Sequence, residues 1–115
     1  APSTTEERLE KILKKAKGFI YLISVMGVTG ARESVAQITK DNISRIKRKT
    51  NKDLPVFVGF GISKPEHAKS IIEAGADGII IGSAIVDIIK NNLNNFKNME
   101  EKLVDFHSRI KNVIN

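Results

Sequence analysis

LPVFVGFGIS at residues 54–63 and DGIIIGSAI at residues 77–85 each run from an apolar stretch into glycine and serine. A third run, GFIYLIS at residues 18–24, leads into GVTG at 27–30. Each reads as a buried strand whose C-terminal end opens onto glycine and then a helix. Backbone amides at such a place point outward and carry the positive end of the helix dipole, so they can hold a phosphate. Phosphate sites built after two consecutive strands are a habit of (β/α)8 barrels.

The segments between these runs read as helices. STTEE at residues 3–7 is a capping box, a Ser or Thr cap followed three residues later by Glu. Leu9, Ile12, Leu13 and Ala16 then share one helical face, and Gly18 ends that helix. Residues 19–24 are apolar on both faces, as a parallel strand covered by helices must be. A basic amphipathic helix is expected over 34–50, with Val35, Ile38, Ile43 and Ile46 inward. The second strand is placed at 55–59. A second capping box, with Ser63 as cap and Glu66 as its partner, opens a helix with Ala68, Ile71 and Ile72 inward. The third strand is placed at 78–81, followed by a short helix at 84–89. An asparagine-rich hinge at 91–95 leads to a last helix at 99–113, with Leu103, Phe106 and Ile110 inward.

Strand–helix alternation means a parallel sheet with right-handed crossovers. Two architectures satisfy it, an open doubly wound sheet and part of a (β/α)8 barrel. The short helix straight after the third strand favours the barrel, because such an element commonly caps the phosphate there. The 115 residues, 41% hydrophobic and 28% charged, suffice for one core and one domain. A closed barrel needs roughly 250 residues, so residues 1–115 are expected to form a single C-terminal half-barrel unit of about three parallel strands with flanking helices. Ala1 is accordingly not expected to be a natural terminus.

The net charge of +6 raises nucleic acid as a partner. The lysines are spread over helix surfaces, however, and with one Tyr and no Trp a stacking platform for bases is poorly supplied. Zero Cys excludes disulfides and thiolate metal sites. No apolar stretch approaches the ~20 residues of a membrane span.

Gly82 lets a phosphate approach without a Cβ in the way, and Ser83 offers both an amide and a hydroxyl. Gly61 offers an amide to the same anion from the neighbouring strand. Phe60, between two glycines at a strand end, is expected either to project towards the mouth, where a flat ring suits an aromatic substrate, or to be a plain core residue. Gly30, in a loop able to close over a ligand, can supply a further amide. Tyr21 shares a strand face with Phe19 and Ile23, either as an interior residue beside a substrate or as plain core. His67 and His107 fall on helices without the partners of a triad and read as surface residues. Asp77 and Asp87 read as structural, and no metal-binding motif is present.

APSTTEERLEKI, GFIYLIS, GVTGAR, PVFVGFGISKPEHA and GADGIIIGSAIV occur in this order over residues 1 to about 89. In these stretches the sequence resembles the C-terminal part of the tryptophan synthase alpha family. The resemblance implies a (β/α)8 barrel and a lyase of tryptophan biosynthesis, which cleaves indole-3-glycerol phosphate to indole and glyceraldehyde 3-phosphate. It implies a cytoplasmic protein with no cofactor of its own, paired with a beta subunit that carries pyridoxal phosphate. Carried over by residue, it makes Gly30, Gly61, Gly82 and Ser83 ligands of the substrate phosphate. It makes Tyr21 an active-site support and Thr29 the residue of loop closure, with Phe60 and Ile80 as walls of the indole pocket. The family's catalytic Glu and Asp belong to early strands and loops outside this sequence, so the chain alone is expected to be inactive. One departure is Val25-Met26, where many members carry Arg; the family's loop-closure contacts do not carry over to these two positions.

Two other readings share these features. One is another phosphate-sugar barrel with a different ring pocket. The other is a non-catalytic half-barrel that associates with itself or with a missing half through its uncovered strands.

Overall fold

The structure is a computed structural model describing residues 1–24, 32–50, 54–59 and 61–115, the side chains of 32–36 excepted. The described residues form five helices and three strands, in the order α1 (Glu6–Lys15), β1 (Ile20–Ile23), α2 (Arg32–Thr50), β2 (Val56–Gly59), α3 (Pro65–Glu73), β3 (Gly78–Ile80), α4 (Ser83–Lys90) and α5 (Phe96–Ile114). The strands form one parallel sheet in the order β1-β2-β3. Register aligns Tyr21 with Phe57 and Gly78, and Ile23 with Gly59 and Ile80.

Partners in register point to the same side of a sheet, so the two faces can be read off directly. Ile20, Leu22, Val56 and Val58 point into a core shared with Leu9 of α1, Ile43 and Ile46 of α2, Ala68 and Ile71 of α3, and Ile110 of α5. The other face carries Phe19, Tyr21 and Ile23, which are 49%, 46% and 46% exposed. The expectation that helices cover residues 19–24 on both sides is therefore corrected. This one-sided arrangement is that of a barrel wall, where the uncovered face lines the interior, and not of a doubly wound sheet with helices on both faces.

Asp77 pins the lower ends of two strands. Its amide donates to Val56 O at 2.9 Å, and its carboxylate accepts the Val56 N–H at 2.9 Å. Lys47, near the end of α2, reaches the same carboxylate at 3.2 Å and the Gly75 carbonyl at 2.8 Å. Helix α1 is fastened to α2 by Glu6 with Arg45 and Lys49, and by Glu10 with Lys49.

Several local expectations are corrected. Thr5 caps α1, accepting the Arg8 N–H at 3.3 Å, so Arg8 and not Glu stands at the third helical position and no capping box forms. That helix ends at Lys15, ahead of Gly18. Ile12 and Ile38 are half exposed. The asparagine-rich hinge is a bonded turn. Asn92 is buried and donates to Ile88 O at 2.7 Å, Asn98 donates to Asn92 Oδ1, and Asn95 caps α5, which starts three residues earlier than its apolar spacing suggests.

Candidate functional site at the C-terminal sheet edge

Because Ile23, Gly59 and Ile80 lie at one level, the chain leaves β2 and β3 side by side. Gly61 stands two residues beyond Gly59, and Gly82 two residues beyond Ile80. The register thus brings to one rim the two glycines that the sequence singles out.

Their reasons for being glycine differ. Gly61 has φ +74°, a left-handed conformation that side chains disfavour. Gly82 has φ −125°, and among the described residues a Cβ built on it meets nothing within 4 Å. Among the described residues nothing stands where its side chain would be, and the missing Cβ leaves that space open above the rim. Gly82 is also the N-cap of α4 and has no side chain to cap with, and Ser83 stands at the first helical position. The Gly82 carbonyl takes the amides of Ile85 and Val86. The amides of Ser83 and Ala84, ahead of them in the first turn, have no intrahelical acceptor. With the helix dipole behind them they form a positive, open rim.

Beneath the rim lies the uncovered face. Tyr21 leans over Gly59: a Cβ on Gly59 would lie 2.7 Å from the Tyr21 hydroxyl and 3.0 Å from Ile80 Cβ. Tyr21 and Ile80 therefore flank the same spot, with backbone as its floor. One layer lower, the Phe57 ring covers Gly78 and stacks on Phe19 at 5.0 Å between centroids. Ser24, buried at the end of β1, gives both its amide and its hydroxyl to Gly59 O at 3.0 and 3.2 Å, which holds the two strand ends together.

The structure brings Tyr21, Ile80, Gly61, Gly82 and Ser83 to this edge. Thr29, Gly30, Phe60, Val25 and Met26 lie outside the described residues. Sequence reasoning missed Gly59, Phe57 and Ser24. Gly59 was visible in GFG, but its use as room for the Tyr21 hydroxyl follows only from register. His107 is exposed, as expected. His67 is half buried and accepts the Ser63 N–H through Nδ1 at 3.3 Å, so it is not a plain surface residue. Among the described residues no three His, Cys, Asp or Glu side chains group as metal ligands, and no helix is long and apolar enough to cross a membrane.

The sequence model described as tryptophan synthase alpha chain matches residues 1–115. The tryptophan synthase alpha chain of Methanothermobacter thermautotrophicus is 47% identical over 111 residues, covering 96% of this chain and 40% of the relative. The structure is similar to tryptophan synthase subunit alpha from Campylobacter jejuni, with TM-score 0.73 and 38% identity over 87% of this chain and 38% of that one. It is also similar to a chain in the tryptophan synthase a2b2 complex of Pyrococcus furiosus, with TM-score 0.70 and 36% identity over 98% of this chain and 42% of that one. The chain thus spans about 40% of the length of the archaeal relative it matches.

Proposed function

Because the chain belongs to the tryptophan synthase alpha chain family, we propose that it forms the phosphate- and indole-binding half-barrel of an enzyme cleaving indole-3-glycerol phosphate to indole and glyceraldehyde 3-phosphate. In this reading the substrate phosphate sits on the rim. It accepts hydrogen bonds from the amides of Gly61, Gly82 and Ser83, from the Ser83 hydroxyl and, by its motif, from Gly30. The α4 dipole adds about half a positive charge at that point. The indole lies against the uncovered face, with Tyr21 and Ile80 as walls and Phe60 assigned to the same pocket. Thr29 serves loop closure.

The observation that carries the reading is the level register of Ile23, Gly59 and Ile80. It places an open, positively polarised rim directly above an apolar, ring-lined face, and the substrate is a phosphate joined by a short linker to a flat ring. Cleavage of the carbon–carbon bond requires a proton delivered to the indole ring carbon and one removed from the glycerol hydroxyl. The family resemblance assigns these steps to a Glu and an Asp outside these residues, so the half-barrel binds and orients. A beta subunit carrying pyridoxal phosphate is the proposed partner and consumer of the indole, and the cytoplasm the proposed location.

An amide NMR titration with glycerol 3-phosphate, on the chain and on the full-length protein, tests the reading. Saturable shifts at Gly61, Gly82 and Ser83 are expected, and an indole-bearing phosphate should add shifts at Tyr21 and Ile80. Folded proteins of both lengths with no response at those three amides would remove the phosphate site. Indole release by the chain alone would refute the assignment of chemistry to the missing residues.

A further inference from the structure

Helix α3 begins without help from its cap residue. Lys64 is the N-cap and makes no side-chain cap bond, and Pro65 follows in the first turn. The capping box expected between Ser63 and Glu66 does not form. His67 does related work instead. It stands at the third helical position, the place from which a capping-box side chain reaches back to the cap amide. Its Nδ1 accepts the N–H of Ser63, one residue before the cap, at 3.3 Å. To accept, Nδ1 must be the nitrogen without a proton.

This bond ends at the link that carries the rim. Gly61 leaves β2 with φ +74°. Ile62 drives its side chain into the core, where it is 3% exposed. Ser63 is then tied by its amide to His67. Two successive anchors, one apolar and one polar, thus follow Gly61 and hold the chain on its C-terminal side.

We propose that His67 is a positioning residue for the phosphate rim: its imidazole holds the turn at 61–63 so that the Gly61 amide stays aimed at the anion. The inference rests on the phosphate reading above and deepens it. In this proposal His67 acts through the Ser63 amide, to which its acceptor nitrogen is committed.

His67→Ala removes the acceptor and keeps the helix, alanine being the best helix former. His67→Asn places an amide oxygen as many bonds from Cα as Nδ1 and is the rescuing variant. Both are compared with the parent in the full-length protein, by affinity for glycerol 3-phosphate and by hydrogen exchange of the Ser63 amide without ligand. H67A is expected to weaken phosphate binding about 3- to 10-fold, the loss of one hydrogen bond's worth of positioning, and to speed Ser63 exchange. H67N returns both readouts towards the parent. Should alanine disrupt folding, His67→Phe keeps the ring volume without an acceptor and takes its place. A parent that binds phosphate no more tightly than H67A overturns the positioning role and leaves the phosphate site standing. A parent with no phosphate affinity overturns both, while the Ser63 exchange rates still report whether the tether exists.

Discussion

Tyr21 and Gly59 show how one residue's bareness fixes another's place. The Tyr21 hydroxyl occupies the spot where a side chain on Gly59 would begin, and the Ile80 carbonyl lies 3.1 Å from the same point. Gly59→Ala must therefore swing the Tyr21 ring or part β2 from β3, at a cost of about 1–3 kcal/mol for overpacking. Tyr21→Phe removes the nearest clashing atom. In a double-mutant cycle by urea denaturation, the pair should cost less than the two single changes together. A strictly additive cycle would show that the hydroxyl is not what the methyl group meets. The same swing would disturb an indole site before a phosphate site, because Tyr21 lines the face and not the rim.

At the scale of elements, Asp77 binds three of them, β2, β3 and the end of α2. The Val56 amide donated to its carboxylate, and then Lys47 beside it, hold its pKa below the ordinary 3.8. A lowered carboxylate pKa stabilises the fold at all pH values above the unfolded value, and that contribution is lost as pH falls through the folded one. Its size is modest, since the side chain is 42% exposed to screening water. Asp77→Asn should lower stability at neutral pH and flatten the acid end of the stability curve below about pH 4; a variant that loses stability in acid as steeply as the parent would show that Asp77 is not the group being titrated. The strands themselves were legible from their apolar runs, and the rim from glycine and serine at the ends of two of them. The helix starts at Thr5 and Lys64 were less so, because neighbouring Ser, Thr and Lys residues compete for the cap and tertiary contacts choose among them. The outward turn of Ile12 and Ile38 was hidden for a different reason: helical periodicity gives a face, but not whether anything covers it. Asp77 looked isolated because its partners, Val56 and Lys47, are 21 and 30 residues away.

The whole chain has a radius of gyration of 15.8 Å, against roughly 13 Å for a compact domain of its length. The difference fits a wall and not a closed body, with helices on one side and Phe19, Tyr21 and Ile23 half exposed on the other. Completing the burial of each such side chain is worth about 1 kcal/mol, and Phe57 and Ile80 extend the same surface. The outer edges of β1 and β3 pair with no other strand among the described residues, and unpaired edges invite another chain. The isolated chain should therefore self-associate as its concentration rises from micromolar to millimolar, with binding of a hydrophobic dye at the low end. Phe19→Lys together with Ile23→Lys should push both observations towards a dye-silent monomer, because two charges on the face oppose its burial while the helix side is untouched. Sedimentation velocity separates the outcomes. A parent chain that stays monomeric and dye-silent throughout would mean that the face is satisfied within the chain itself. Association unaffected by the two lysines would place the contact on the strand edges or on the helices.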